Sequence, residues 1–412
     1  MLRRRSVAAV VLTVLIAAVT ASAQNPFALT NIGVDLRSSD ARVDGRGGWG
    51  LAERDTLTPS FHNLASLPGL TRLAVVMSGY GERAVAEDAS GSRMTSNVRT
   101  PSLRTALPFL GGRGVATVGF RALRGTQYSW VEDFSITLPI PDGGGATEDI
   151  DGLRTFQREG TQFEVPLGVA WRFDDRLAVG ASLNLVNGLL RERLSEGFYD
   201  NTDDGLLPLR TNSEVIEDQL NSVSSTVSAL VSLSESLHIG ATYTTAHNWD
   251  VTRTRDMNGI PGDVTIDYQV RIPAHWGVGA AVGVTERWRF GFDYESQAFS
   301  GFTGRPDWEG IMTDSWCLSA GVERLEAFQR RGGRDNLPLR AGASLRRLPY
   351  TINGQTIDER RISVGTGVPL RNQGGHLDVA MSYIMTGSLD DHGVQDRAWR
   401  LTLSLAGLEK WW

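Results

Sequence analysis

The residues best suited to chemistry fall into short motifs, the first of which is rich in glycine. Gly45-Arg46-Gly47-Gly48-Trp49-Gly50 has the spacing of a dinucleotide-binding turn. That spacing is meaningful only between a strand and a helix of a βαβ unit, and no parallel-strand pattern follows it here. We therefore interpret the motif as a glycine-rich turn in a packed segment.

A second motif, at residues 200–205, resembles the start of a calcium-binding loop. Its third position is Thr202, and its twelfth is Thr211, where a bidentate glutamate belongs. The histidines are widely spaced, and none forms a metal-ligand pattern with the single cysteine, Cys317. The sequence predicts no metal and no cofactor.

Catalytic signatures and nucleic-acid signatures are both missing from the sequence. It has no GxSxG turn and no Ser-x-x-Lys pair, so we do not expect an enzyme. The formal net charge is −6, and no basic patch has aromatic residues interleaved with it. We therefore expect no nucleic-acid partner.

The first residues indicate the compartment. Three arginines, Arg3 to Arg5, precede an apolar run at 7–19, and Ala21-Ser22-Ala23 supplies small residues for cleavage. This is the arrangement of a secretory signal peptide, and the run is shorter than the ~18 residues of a spanning helix. We predict a signal peptide at 1–23.

The elements that position any functional residues are β-strands, because large apolar residues alternate with small or polar ones. In 275–284, Trp276 and Val278 begin one face, and glycines begin the other. Similar stretches recur to the C-terminus, each about the ~9–11 residues that cross a bilayer in a barrel. The pattern predicts an all-β, transmembrane antiparallel β-barrel over 69–412.

The two faces of these strands suggest different surroundings. In the last strand we expect Trp399, Leu401, Leu403 and Leu405 to face lipid. Charged residues on the opposite faces are candidates for a polar lumen: Arg172, Arg289, Asp293, Arg340 and Asp378. A soluble β-sandwich also alternates, but the charges and the aromatic residues near strand ends favour the barrel.

Two kinds of segment lie between or before the strands. Polar stretches at 142–152, 197–213, 250–262 and 330–336 are expected to be loops on one side of the membrane. Residues 24–68 lack sustained alternation and are rich in glycine. We predict that they form a plug inside the lumen.

Both ends of the chain resemble the FadL-type (OmpP1/FadL/TodX) outer-membrane transporters. The N-terminal resemblance lies in Asn25-Pro26-Phe27, Arg46-Gly47-Gly48 and residues 51–55. Asn63-Leu64-Ala65 stands where the family usually has Asn-Pro-Ala. Residues 337–342, 365–370 and 387–389 match near the C-terminus, and 272–276 match the central region.

The resemblance implies a monomeric barrel of fourteen strands with an N-terminal hatch. It also implies passive uptake of hydrophobic molecules, such as long-chain fatty acids or hydrocarbons, across the bacterial outer membrane. Expected partners are these small molecules, outer-membrane lipid and lipopolysaccharide, and the barrel-assembly machinery during biogenesis. The hatch candidates are Asn25, Pro26, Phe27, Arg46, Gly47, Gly48, Asp55 and Asn63.

Two other functions fit a barrel. A general porin keeps a water-filled channel and would lack a plug of this length. A structural or assembly barrel would bind other envelope proteins through its loops. The sequence favours transport of hydrophobic molecules over both.

Overall fold

The computed structural model describes residues 27, 33–36, 40–54, 61–89, 91–139, 147–202, 205–257, 264–304, 311–325, 337–370 and 374–409. The predicted signal peptide at 1–23, the hatch candidates Asn25, Pro26 and Asp55, and the whole predicted loop at 330–336 lie outside these residues. The statements below concern the described residues.

Strands dominate the described chain and form one antiparallel sheet. Their bounds are β1 Val34–Asp35, β2 Leu73–Asp88, β3 Gly91–Phe109, β4 Gly114–Pro139, β5 Thr147–Arg172, β6 Leu177–Thr202, β7 Gly205–Ser232, β8 Leu237–Thr244, β9 His247–Met257, β10 Val264–Ile272, β11 His275–Gly283, β12 Trp288–Gln297, β13 Ser315–Arg324, β14 Leu339–Ile352, β15 Gln355–Pro369, β16 Gly375–Ser388 and β17 Val394–Glu409.

The sheet closes into a barrel of fourteen staves. β8 and β9 both pair with β7, so they form one stave interrupted at 245–246. β10 and β11 form the next, interrupted at 273–274. β17 pairs with β2 along its full length and closes the wall. β1 belongs to the segment before the wall and pairs with β4, so it is not one of the fourteen staves. The predicted plugged barrel of fourteen strands is confirmed.

Helical segments are short. Two α-helices, α1 at Ala41–Gly45 and α2 at Leu389–His392, accompany 3-10 turns at Leu64–Ser66, Leu110–Gly112 and Phe299–Gly301. None of the described helices is long and apolar enough to cross a membrane.

One band of the wall carries apolar side chains on its outer face, and we call this band the belt. In β17, Trp399, Leu401 and Leu403 are exposed, whereas Thr402 and Ser404 are buried. The predicted sidedness of this strand is confirmed. Similar outward residues from the other staves make the belt continuous.

The wall is much taller on one side than on the other. β4 to β7 have 26 to 28 residues each, whereas β12 and β13 have 10 each. Short turns such as 173–176 and 284–287 align the staves at one end, so the excess length projects from the other end. We call the projecting part the tall wall: residues 126–139, 147–160, 190–202, 205–218, 247–257 and 264–272.

Three of the predicted loops are therefore largely wrong. Residues 147–152, 197–202, 205–213 and 250–257 belong to strands. Polar side chains pair across the same strands beside these stretches, for example Arg154 with Glu196 at 2.7 Å. Polar strands of this kind lack the apolar alternation from which strands were recognised.

Candidate functional site

The plug, residues 27–68, runs through the lumen from one mouth to the other. Phe27 packs against Leu348 and Tyr350 near the β14–β15 turn. At the opposite end, Leu67 belongs to an apolar cluster with Val115, beside the short turns. The described parts of this segment thus fill the length of the barrel. The boundaries 24–68 stay a prediction.

Glycines on the inner face of the wall make room for the plug. A Cβ on Gly291 would overlap the Trp49 ring, and a Cβ on Gly321 or Gly342 would meet the Arg46 carbonyl. These glycines form a seat for the plug backbone, because only glycine lets two backbones approach so closely.

Gly47 and Gly48 are in this seat for a second reason. They have φ of +81° and +104°, values that residues with a Cβ rarely adopt. They let the chain turn sharply after α1, which lies against β15 and β16. The glycine motif is therefore a turn of the plug, and no βαβ unit surrounds it.

A buried ion-pair cluster joins plug to wall around Glu323 of β13. Arg42 Nε and Nη2 donate to its two carboxylate oxygens, each at 2.9 Å. Arg46 Nη1 and Arg340 Nε also donate, at 3.2 and 2.8 Å. Glu323 is fully buried. Such a carboxylate needs this compensation, since an unpaired buried charge is very costly.

Other charges extend this ion-pair cluster on both sides. Glu53 of the plug accepts from Arg46 at 2.6 Å and from Arg289 of the wall at 3.0 Å. Arg340 also reaches Asp378, at 2.6 Å. Three of the five candidate lumen residues, Arg289, Arg340 and Asp378, therefore belong to the extended ion-pair cluster.

The other two candidates are placed differently. Asp293 pairs with no plug side chain; it accepts the backbone N–H groups of Gly50 and Leu51, at 2.6 and 2.9 Å. Arg172 lies at the end of β5, by the short turns, with Asp175 at 4.0 Å. It is outside the ion-pair cluster.

Polar contacts also hold the two ends of the plug body. Asp44 accepts from Thr402 at 2.7 Å and from Arg361 at 3.4 Å. Burial raises the pKa of the Asp44 carboxyl, and Arg361 opposes that shift. Asn63 donates to the carbonyls of Leu51 and Ala229, at 2.7 and 3.0 Å. The hatch candidate Asn63 thus joins the plug to β7.

A chamber remains between the plug and the wall from β3 to β15. It consists of adjoining cavities of about 230 Å³ and about 140 Å³ that share seven lining residues. The shared residues are His62, Arg104, Arg121, Glu164, Thr244, His275 and Glu295. Most of them are charged or polar, so the chamber suits polar groups better than a bare hydrocarbon.

An apolar mouth cluster lies above the chamber. Its members are Leu220, Trp249, Val251, Val270, Ile272, Phe299 and Phe302. The Arg124 guanidinium lies 5.8 Å from the Trp249 ring and 5.5 Å from the Phe299 ring. Trp249 lines the chamber, and its buried indole N–H has no acceptor among the described atoms. An acceptor on a bound molecule or a water would satisfy it.

The apolar surface continues upward on the inner face of the tall wall. Trp130 stacks on Phe156, and Tyr268 packs on the mouth cluster. Further up, Val264 and Ile266 are exposed. The outer face of the same strands carries residues such as Glu159, Arg191 and Asp267. The aliphatic and aromatic residues of the tall wall thus lie on its inner face, together with ion pairs such as Arg253 with Asp218 at 2.7 Å, whereas those of the belt lie on its outer face.

The wall parts between β3 and β4. Their ladder runs only from Phe109–Gly114 to Ser102–Arg121. Beyond it, β1 takes the place of β3: Val34 pairs with Gly125, and Asp35 with Arg124. Part of the plug therefore fills a gap in the barrel wall.

Sequence reasoning missed two central residues, Glu323 and Arg42. Glu323 continues the inward parity of Ser315, Cys317 and Ser319 in β13. Extending the apolar alternation of 316–322 by one residue finds it. Arg42 gave no such signal, because the plug has no strand parity that would indicate its direction.

The chain matches the BamG family model over residues 1–412. No curated protein matches the sequence. Similar solved structures include a FadL homologue from Pseudomonas aeruginosa, with a TM-score of 0.61 and 12% identity, covering 92% of this chain and 100% of that one.

Two others are toluene transporters. TbuX of Ralstonia pickettii has a TM-score of 0.56 and 14% identity over 93% of this chain and 100% of its own. TodX of Pseudomonas putida has a TM-score of 0.55 and 14% identity, and the match covers 92% of this chain and 100% of its own. At these identities the likeness concerns the fold, and the resemblance to FadL-type proteins is confirmed at that level.

Proposed function

Since the chain belongs to the BamG family and has the plugged barrel fold of FadL-type transporters, we propose that it is a passive channel for hydrophobic molecules in the bacterial outer membrane. The observation that carries the proposal is the run of aliphatic and aromatic residues on the inner face of the tall wall, which lie beside ion pairs such as Arg253 with Asp218. A sheet standing in water normally turns its apolar side away from solvent. Here that side lines the approach to the lumen.

Capture is the first step. A hydrophobic molecule would leave water for the surface formed by Val264, Ile266 and Tyr268, gaining about 25 cal/mol for each Å² of apolar area buried. The surface leads down to the mouth cluster. The molecule therefore moves toward the plug without returning to water.

The chamber below suggests which hydrophobic molecules fit. Its charged residues are hydrogen-bonded in pairs, such as Arg121 with Glu164 at 2.9 and 3.1 Å. A hydrocarbon there would gain little, whereas an amphiphile could place its polar group beside Trp249 Nε1. Of the two expected classes, long-chain fatty acids fit this chamber better than hydrocarbons.

Release would follow the gap between β3 and β4. Among the described residues, the rungs Val34–Gly125 and Asp35–Arg124 and the hydrogen bond from Leu36 N to Leu123 O bridge it beside the chamber. Moving β1 would connect the chamber to the outside of the belt. A hydrophobic molecule would then enter lipid directly, which is more favourable than crossing water.

The belt supports the membrane location. Its outward apolar residues, including Phe290, Phe292 and Leu403, would be costly to expose to water as a continuous surface. Closed barrels satisfy all backbone groups within lipid. A general porin is disfavoured because the plug occupies the lumen that a porin leaves open to water.

Uptake into liposomes tests the function. Full-length protein would be reconstituted, and entry of a fluorescent long-chain fatty acid would be compared with entry of a neutral aromatic hydrocarbon. We expect the protein to accelerate fatty-acid entry. Ile266→Asp should slow entry, because it places a charge on the apolar approach.

The matched control is Thr265→Asp, on the opposite face of the same strand, where both positions are exposed. It should leave uptake unchanged. Equal uptake by liposomes with and without the protein would overturn the function. Equal rates for the two aspartate variants would overturn the assigned path.

A further inference from the structure

The apolar outer face of the belt ends in arginines in staves that do not belong to the tall wall. In β17, the exposed Leu401 and Trp399 are followed on the same face by Arg397. In β15, the exposed Ile362 is preceded on the same face by Arg360. Both arginines are exposed and lie toward the end from which the tall wall projects, the outer end of such barrels. A bilayer that covers the belt therefore places lipid headgroups beside them.

The strand ladder places three arginines side by side. Arg397 pairs with Met385, and Met385 pairs with Arg360, so two strand spacings, about 10 Å, separate the two arginine backbones. Arg83 of β2 pairs with Trp399 and is therefore the diagonal neighbour of Arg397, roughly 7–8 Å away. Arginine side chains are long enough for neighbouring guanidinium groups in this row to contact the same anion. We call Arg83, Arg360 and Arg397 the rim arginines.

The rim arginines contact neutral groups of the described chain and none of its carboxylates. Arg83 Nε donates to Met94 Sδ at 2.8 Å. Arg397 Nη2 donates to Gln395 Oε1 at 2.7 Å. Neutral acceptors leave the charge of a guanidinium group uncompensated, so an anion from outside the chain can still pair with it.

Two carboxylates lie on the same outer faces, further from the belt. Asp358 is two residues beyond Arg360 and pairs with Arg347 at 3.1 Å. Glu87 of β2 is one outward step beyond the rung of Arg397. Neither carboxylate lies in the row of the rim arginines, so that row keeps a local positive charge at the edge of the apolar surface.

We propose that the rim arginines bind the phosphate of a lipid headgroup in the outer leaflet. A planar guanidinium group can donate two parallel hydrogen bonds to one phosphate. The acyl chains of the same lipid would lie against Ile362, Tyr383 and Trp399, and the last two rings are 4.8 Å apart. Free phosphate would gain nothing from this apolar surface, whereas a lipid would. The proposal requires the membrane location and is independent of the transported molecule.

The tall wall supplies a control with the same charge. Arg191 and Arg193 lie on the outer face of β6, as the rim arginines lie on the outer face of their strands. Arg191, however, has Glu159 and Glu217 as its ladder neighbours and pairs with Glu217 at 2.6 Å. A phosphate beside Arg191 would meet a carboxylate on either side. We therefore expect no phosphate site there.

The test uses the full chain in detergent and counts bound lipid by native mass spectrometry. The probes are dioleoyl phosphatidic acid and dioleoylglycerol, which has the same chains and no phosphate. We expect the wild type to prefer phosphatidic acid, and Arg360→Gln combined with Arg397→Gln to weaken its binding about tenfold. Arg191→Gln combined with Arg193→Gln should bind as the wild type does. All four positions lie on the outer surface, so both double variants should show the heat-modifiable migration of a folded barrel.

Equal binding of phosphatidic acid by the wild type and the rim double variant would overturn the proposal. Equal weakening by both double variants would do so as well, because binding would then follow net charge alone. Displacement of the lipid by an equal concentration of inorganic phosphate would assign the arginines to a free anion. Equal binding of the two lipids by the wild type would exclude a phosphate contact, and that comparison needs no variant to fold.

Discussion

The belt and the tall wall are built from the same strands, yet they carry aliphatic and aromatic side chains on different faces: the outer face in the belt and the inner face in the tall wall. In β6, Leu183 and Leu185 of the belt are exposed on the outside, whereas further up Arg191 occupies that face and Leu194 lies inside. The backbone alternation continues unchanged. Alternation therefore identifies a strand, but the medium around it decides which side is apolar.

Charge burial separates the two regions most strongly. Glu323 is enclosed with three arginines, whereas Glu217 of the tall wall pairs with an Arg191 side chain that is 42% exposed. Glu323→Gln should lower the free energy of unfolding by about 3–5 kcal/mol, because it leaves buried guanidinium groups uncompensated. Glu217→Gln should cost no more than about 1 kcal/mol.

Guanidinium unfolding in the presence of lipid vesicles measures both changes. The comparison fails if the two variants lose similar stability. A planar-bilayer recording should also show more frequent openings for Glu323→Gln, since the plug loses an anchor.

An outward arginine sharpens the comparison further. Leu403→Arg places a charge near the middle of the belt and should cost about 2–4 kcal/mol. Val131→Arg on the outer face of the tall wall should change stability by less than about 0.5 kcal/mol. The same unfolding assay applies, and equal costs would mean that both regions meet the same medium.

The smallest effect concerns the glycine seat. Gly291→Ala should cost about 1–3 kcal/mol, because the new methyl group overlaps Trp49 and one side must shift. Gly283→Ala is the control, since the nearest atom lies 3.8 Å from its built Cβ. Single-channel conductance should rise only for Gly291→Ala. A rise for both variants would show that the seat is not specific.

The sequence was most informative where one face meets an apolar medium. The sides of Trp399, Leu401 and Leu403 could be predicted because lipid selects a uniform outward face. The strands at 197–202 and 250–257 could not be predicted from alternation. Water on the outer side and ion pairs within the sheet allow polar residues on both faces there.

The plug contacts were harder to predict for a different reason. Arg46 and Glu53 are charges that need partners inside a lumen, and Arg289 of the wall supplies one for Glu53. The link from Arg42 to Glu323 spans most of the chain. Only the curvature of the closed wall brings these residues together, and no local spacing encodes it.

The Glu323 cluster also bears on the order in which the molecule is made. The plug contacts β17, where Ala41 N donates to Ser404 Oγ, and Ser404 bonds across the closing seam to Ser78. β17 is the last stave of the wall, and the plug precedes every stave. A wall that closed first would enclose Glu323 without the two plug arginines, Arg42 and Arg46, so we expect the staves to assemble around the plug, with the seam shut last.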